Sequence, residues 1–300
     1  MIYATILYEN IEQLCCIDGV GGRVFLLREF FDRECDTDNV PGSMLDLIRS
    51  YRPEWTDQIA LFFGTNPEMA ISLDEVKLLA PIPAPARNMV CLGKNYLAHA
   101  EELKGQIFSD KPPTIPIYFT KPDHTVIGTE ETILLHSHIT DKVDYEMELA
   151  VIIGKKGIDI PKEKAEEYIF GYTIANDVSA RDLQRDHTQW YKGKSLTTHC
   201  PMGPWIVHKS ALPFPLSLDL KCYVDGELRQ QGNTRDLIFD VPTIISDLSR
   251  GYELRPGDII LTGTPAGVGM AFDPPRYLKA GSRVTCQIEK IGVLTNPVGD

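Results

Sequence analysis

The stretch YEMELAVIIG at 145–154 constrains the fold more than any other part of the chain. Read as a β-strand, it sends successive side chains to opposite faces. Tyr145, Met147, Leu149, Val151 and Ile153 then share one face, and Glu146, Glu148, Ala150 and Ile152 share the other. A strand apolar on both faces belongs inside a sheet that is covered on both sides. The two glutamates at its head are the anomaly, because a charge in such a place needs a partner.

The rest of the chain follows the same strand-rich pattern. Short apolar runs at 126–128, 131–135, 169–175, 205–207, 218–224, 258–262 and 283–289 are separated by turns bearing Gly, Pro, Asp and Asn. Helical patterns are few, at 95–104, 179–187 and 239–249, with one more at 43–51 that Ser43 would cap. These runs predict a mainly β fold with short helices, an α+β arrangement rather than a doubly wound α/β sheet. In KLLAPIPAPARN at 77–88, three alternating prolines force an extended segment. It divides a small N-terminal α+β domain at 1–78 from a larger domain at 79–300.

Bulk composition narrows the function classes. A chain of 300 residues buries enough surface to need no disulfides, and its seven cysteines have no framework spacing. Free thiols in a reducing cytoplasm are expected. The first ten residues do not pattern as a signal peptide, and no apolar run approaches the ~20 residues of a membrane span. The net charge of −12 argues against nucleic acid, though not against a small anionic substrate met by a local cationic cluster or a metal.

Four further segments carry candidate chemistry, and each also has a plainer reading. Glu146 and Glu148, about 7 Å apart by strand rise, could be a solvated strand face. Their apolar continuation favours a cation site as strongly. In NDVSARDLQ at 176–184, Asp177 ends an apolar strand and could be a third ligand, or Asp177 or Ser179 could cap the next helix. Arg181 and Gln184 would share a face of that helix. Three carboxylates without His or Cys suit Mg²⁺, Mn²⁺ or Ca²⁺ rather than zinc. Lys194, in YKGKS at 191–195, reads alone as a surface charge in a Gly-containing turn. The run ILTGTPAGVG at 260–269 lacks the Lys of a Walker loop; its N–H groups and the Thr264 hydroxyl could hold a carboxylate, or it could be a simple turn. His99 and Glu102, three apart on a helix, form either a general-base pair or a surface contact.

Taken in order, GKNYxxHxxE (93–102), YEMELAVIIG, NDVSARDLQ, KGKS (192–195) and LTGTPAGVG (261–269) closely resemble the fumarylacetoacetate hydrolase superfamily. The resemblance covers about residues 80–296. It implies a mixed β-sandwich roll, a homodimer, and a Mg²⁺- or Mn²⁺-dependent site. It also implies that Glu146, Glu148 and Asp177 are the metal ligands, and that His99 and Glu102 are a catalytic dyad on a lid hinged through 104–116. Lys194, also catalytic, would add positive charge beside the substrate oxygens. Gln184 and Thr264 would surround the substrate, Arg181 would support it beside the aspartate, and Lys121 would join the substrate-binding set in a less defined role. The additional aspartate ligand of the longer hydrolases is missing, so the chain is similar to the shorter acylpyruvate-type branch.

Such enzymes share a substrate, a small anionic 2-oxo acid, more than a reaction. The first expectation is hydrolysis of a C–C bond in an acylpyruvate such as fumarylpyruvate or acetylpyruvate. His99 would be the base, and Gln184 would position the water or the keto group. The close second is an oxaloacetate decarboxylase or tautomerase, and the third an isomerase or decarboxylase of aromatic meta-cleavage catabolism. A binding protein without turnover fits the intact dyad and carboxylate triad poorly. Nothing in the sequence reads the far end of the substrate.

Overall fold

The structure, a computed structural model, describes residues 1–18, 22–35, 40–103 and 112–300. The first strands are β1 (Ile2–Tyr8), β2 (Ile11–Asp18), β3 (Arg23–Leu26), β4 (Ile71–Ser72), β5 (Lys77–Leu78), β6 (Met89–Gly93) and β7 (Ile117–Lys121). Then come β8 (Val126–Ile127), β9 (Ile133–Leu134), β10 (Val143–Asp144), β11 (Met147–Ile153), β12 (Ile169–Asn176) and β13 (Ser179–Ala180). The last are β14 (Cys200–His208), β15 (Asp219–Val224), β16 (Glu227–Asn233), β17 (Ile259–Leu261), β18 (Arg283–Ile288) and β19 (Gly292–Gly299). The helices are short: α1 (Leu27–Glu34), α2 (Met44–Ser50), α3 (Trp55–Thr65), α4 (Leu97–Glu102), α5 (Arg181–Asp186), α6 (Tyr191–Lys194) and α7 (Val241–Leu248).

Among the described residues the strands form a twelve-stranded mixed sheet, a five-stranded sheet and the small pair β10–β13. The backbone of the large sheet runs β4-β3-β2-β1-β14-β12-β11-β17-β6-β7, and the five-stranded sheet runs β16-β15-β18-β19-β9. Residues from the start of the chain continue the large sheet directly, since Ile2 and Tyr3 of β1 pair with Val207 and Ile206 of β14.

Strand β11 sits in the middle of the large sheet, and its period-two pattern decides the two cores. Met147, Leu149, Val151 and Ile153 point into a cluster shared with the five-stranded sheet, where Leu220, Cys222, Val284, Cys286 and Leu294 face them. Ala150 and Ile152 point the other way, into a cluster built from α1, α2 and α3 with Phe30, Phe31, Leu47, Trp55 and Phe63. Each face of the strand is therefore covered, once by a sheet and once by helices. Burial of each such side chain stabilises the fold by about 1.5–3 kcal/mol.

Local signals account for the helices that cover the sheet. Ser43 accepts a hydrogen bond from Asp46 N at 3.2 Å, which caps α2 as its sequence predicts, and Met44, Leu47 and Ile48 form the buried stripe. Asp240 caps α7 in the same way, accepting from Thr243 N at 2.9 Å. Three expectations need correction. The strand containing Glu148 starts at Met147, so Glu146 lies just ahead of it. The helix after Asp177 starts at Arg181 without a side-chain cap; Ser179 instead pairs with Asp144 in β10–β13. Lys194 ends the short helix α6 rather than sitting in an open turn. The expected hinge at 104–116 lies largely outside the described residues.

Candidate active site

Register brings the acidic residues together. In the antiparallel pair β11–β12, Met147 faces Asn176. The next position outward sets Glu146 against Asp177, and Asp177 N donates to Glu146 O at 2.8 Å. Asn176 Oδ1 accepts from Glu146 N at 3.0 Å and closes the end of the ladder. One ligand-type oxygen from each of Glu146, Glu148 and Asp177 lies within 4.8 Å of the others, and all three residues are buried.

Every buried Asp, Glu, Lys and Arg among the described residues belongs to this site: Asp144, Glu146, Glu148 and Asp177 against Lys94, Lys121, Arg181 and Lys194. Burying eight charges together is costly unless they pair. Lys194 Nζ donates to Glu146 Oε2 at 2.8 Å and to Asp177 Oδ2 at 2.6 Å. Lys121 Nζ donates to the carbonyls of Lys194, at 2.6 Å, and Val178, at 3.1 Å. Arg181 spans two carboxylates, with Nε 2.9 Å from Asp144 Oδ2 and Nη1 2.7 Å from Glu146 Oε1. The same Nη1 donates to Gln184 Oε1 at 3.1 Å. Asp144 is held in turn by the N–H groups of Gly269 at 2.7 Å and Met270 at 3.0 Å.

The electrostatics separate the two glutamates. Burial alone would raise the Glu146 carboxyl, but Lys194 and Arg181 outweigh it and hold it well below its ordinary value. Burial, then Asp177 and Glu146, push the Glu148 carboxyl well above its ordinary value. The Asp177 and Glu146 charges also outweigh the burial that would lower Lys194, and raise it. Glu148 is thus the member of the triad at which burial and like charge outweigh the nearby Lys194 ammonium. Asp177 Oδ1, 2.8 Å from Lys121 Nζ but out of line for a hydrogen bond, keeps a lone pair for a further cation. An all-oxygen donor set with one under-compensated carboxylate fits a hard divalent ion.

The Gly-rich run after β17 secures these carboxylates from one side. Gly263 N donates to Glu148 Oε2 at 2.6 Å, and Gly267 N donates to Glu102 Oε2 at 2.8 Å. Gly267 has φ of +106°, and a Cβ there would lie 1.9 Å from Arg229 O, so only glycine fits. Glu102 Oε1 is 2.7 Å from His99 Nδ1, and His99 is buried. The Glu102 carboxylate is therefore held at both of its oxygens. Thr264 Oγ1 donates to Met147 O at 2.8 Å and accepts from Gln230 Nε2 at 2.7 Å.

A cavity of about 30 Å³ opens among these groups. Of the ten residues singled out in the sequence, His99, Glu146, Glu148, Arg181, Gln184, Lys194 and Thr264 line it. Glu102 lies behind His99, while Lys121 and Asp177 sit beneath Lys194. Sequence reasoning missed Asp144, Gln230, Lys94 and the apolar wall of Phe119 and Trp190. Asp144 stands beside the glutamates in the same run, and an acid entering an apolar strand was the available signal; Gln230 carried none.

The comparisons with known proteins identify the family. The model of the fumarylacetoacetate (FAA) hydrolase C-terminal family matches residues 88–299. The chain is 44% identical over 277 residues to the oxaloacetate tautomerase YisK of Bacillus subtilis, covering 88% of this chain and 89% of the relative. It superposes on the fumarylacetoacetate hydrolase of Exiguobacterium antarcticum with a TM-score of 0.81 at 36% identity, covering 100% and 99% of the two chains. It also superposes on the maleylpyruvate hydrolase of Sphingobium sp. SYK-6, in a structure that holds manganese(II) and pyruvate, with a TM-score of 0.76, 28% identity, and 100% and 99% coverage. No helix of the described residues is long and apolar enough to cross a membrane. A carboxylate triad, a His–Glu dyad and a mixed-sheet scaffold occur here on one chain, with a family match over most of its length: the protein belongs to the fumarylacetoacetate hydrolase family.

Proposed function

We propose that the protein catalyses keto–enol tautomerisation of oxaloacetate in a site that uses Mg²⁺ or Mn²⁺. The observation that carries this reading is the pairing of buried His99 with half-buried Glu102 beside the carboxylate triad, in a chain 44% identical to an oxaloacetate tautomerase. Tautomerisation needs a base at C3 and positive charge at the 2-oxo oxygen, and it needs no attacking water. Glu146, Glu148 and Asp177 would hold the ion. Once bound, it would act as a Lewis acid on the 2-oxo oxygen.

The chain's own residues supply the remaining steps. Glu102 accepts from His99 Nδ1, which leaves Nε2 as the basic nitrogen. Nε2 takes the C3 proton; the C–H pair becomes the C2–C3 double bond, and the carbonyl pair moves onto oxygen. Protonation of that oxygen completes the enol, and the reverse path regenerates the ketone. Lys194, fixed by Glu146 and Asp177, places positive charge near the oxygen where negative charge develops. Arg181 can only donate, so the Gln184 atom facing it is the carbonyl oxygen. The Gln184 amide N–H groups are then left to donate to a substrate oxygen. Among the described residues, Arg181 Nη2 is buried without a hydrogen-bond partner, a donor suited to the substrate carboxylate.

Hydrolysis of an acylpyruvate is the second reading. The maleylpyruvate hydrolase that holds manganese and pyruvate favours it, and the same dyad could activate water. Decay of enol-oxaloacetate, followed by its absorbance with Mn²⁺ and then with chelator, separates the two. The first reading expects metal-dependent decay, slowed about 10²–10⁴-fold in His99→Asn. Faster cleavage of fumarylpyruvate or acetylpyruvate than tautomerisation of oxaloacetate would select the second. No metal-dependent turnover of any of the three would overturn both.

A further inference from the structure

Strand β11 sends the backbone groups of its odd-numbered residues toward β17. Ile153 N donates to Asp258 O at 2.8 Å, and Leu149 O accepts from Thr262 N at 3.0 Å. The β11–β17 ladder ends with Ala150 facing Leu261. Met147 lies beyond that end, with its N–H and C=O turned to the same side. Buried backbone groups left unpaired are costly. These two belong to the residue between Glu146 and Glu148.

A side chain from the other sheet meets them. Gln230 Oε1 accepts from Met147 N at 3.0 Å. Gln230 Nε2 donates to Thr264 Oγ1 at 2.7 Å, and Thr264 Oγ1 donates to Met147 O at 2.8 Å, which closes a ring through both backbone groups of Met147. The second N–H of the amide goes to Pro265 O at 2.7 Å. Met147 N can only donate, so the orientation of the amide is fixed. Gln230 is 0% exposed, yet it is not among the residues lining the cavity. A β-bulge aims it: Cys222 faces Gln230 and Tyr223 faces Leu228, which leaves Arg229 as the extra residue of β16. Strand β16 is also pressed against the Gly-rich run, where a Cβ on Gly232 would lie 2.7 Å from Pro265 Cβ.

We propose that Gln230 is a positioning residue for the divalent ion. It stands in for the missing ladder at Met147 and so keeps the Glu146 and Glu148 carboxylates at the separation that ligates the ion. This inference rests on the reading that the triad holds Mg²⁺ or Mn²⁺, and adds how two of its three ligands are set. It also changes the part played by Thr264. The Thr264 hydroxyl proton is committed to Met147 O, so that side chain closes the ring and can only accept from a substrate.

Titration of the metal-free protein with Mn²⁺, followed by the electron paramagnetic resonance signal of the free ion, gives Kd without reference to turnover. Gln230→Met keeps the length of the side chain and removes its hydrogen bonds, and should weaken Mn²⁺ binding about 10- to 100-fold. Asn296→Leu is the control. Asn296 is another buried amide, which donates to Gly128 O at 2.8 Å and Glu131 O at 2.9 Å, away from the site. Its loss should lower Tm and leave the Mn²⁺ affinity unchanged. Where Gln230→Met does not fold, Thr264→Val opens the same ring while leaving Gln230 bonded to Met147 and Pro265, and should weaken Mn²⁺ binding in the same direction. If wild type binds Mn²⁺ and the ring-opening variant binds it as tightly, the inference falls and the site reading stands. If Asn296→Leu weakens binding as much, lost stability explains the effect and the inference falls. If wild type binds no Mn²⁺, both fall.

Discussion

Replacing Glu148 with Gln should make the metal-free protein more stable and insensitive to Mn²⁺. The ligand-type oxygens of the triad lie within 4.8 Å of one another. At an effective dielectric constant of about 20, two unit charges at 4.8 Å repel by about 3.5 kcal/mol. Glu148 faces two such charges, Asp177 and Glu146, and Lys194 is bonded to those two rather than to Glu148. Protonation of Glu148 relieves part of the repulsion and limits the cost. The net release on substitution is about 1–3 kcal/mol, or about 2–8 °C in Tm. The Gln oxygen can still accept from Gly263 N, now 2.6 Å from Glu148 Oε2, so the local structure should survive. Wild-type protein at a Mn²⁺ concentration a hundredfold above Kd should gain about 2.7 kcal/mol, and the variant almost none. Thermal unfolding near neutral pH, with Mn²⁺ and with chelator, measures both effects. A variant with the wild-type Mn²⁺ response would show that the triad does not hold the ion. A metal-free variant less stable than wild type would refute the repulsion argument.

Three other perturbations probe how the site is held. Gly193→Ala would place a Cβ 2.5 Å from Gln184 N and 2.7 Å from Ala180 O, so α5 and α6 must part; turnover should fall about 100-fold while circular dichroism stays native. Asp144→Asn leaves the buried Arg181 guanidinium without one of its countercharges and turns an amide NH₂ toward donors, which should cost about 3–5 kcal/mol in urea unfolding. His208 is lowered to about 4, by burial first and then by the N-terminal ammonium and Lys209. Its folded value lies below the unfolded one, so its contribution is complete above about pH 6.5 and is lost as pH falls through 4. His208→Gln should remove on the order of 3 kcal/mol of that loss, read from urea midpoints between neutral pH and pH 4.

The parts of this molecule legible in its sequence are those set by local periodicity or by an ordered run of motifs. The alternation along 145–153 named both faces of β11, and the structure places them in two separate cores. The meeting of Glu146 with Asp177 depends on Met147 facing Asn176 across β11–β12. A register between strands leaves no trace in either strand alone, and a slip of one residue would move the whole set to the other face. Lys121 reaches the site from β7, beyond β17 and β6 in the sheet, which only topology determines. Strands β16 and β19 were missed because ELRQQGN and GVLTNPVG lack apolar alternation; their burial comes from neighbours, not from their own pattern.

The Gly-rich run is the instructive middle case. Its composition signalled backbone N–H groups free to hold a carboxylate, which is a property of local conformation. Whose carboxylate they hold is a property of the fold. Gly263 holds Glu148, Gly267 holds Glu102, and Gly269 with Met270 holds Asp144. Through these contacts one short run sets a triad glutamate, the carboxylate that orients His99, and the carboxylate that anchors Arg181 against Glu146. A displacement of this run would therefore move base, ion ligand and guanidinium together. The stiffness of the site resides in backbone amides, so substitutions in its side chains should change its chemistry more readily than its shape.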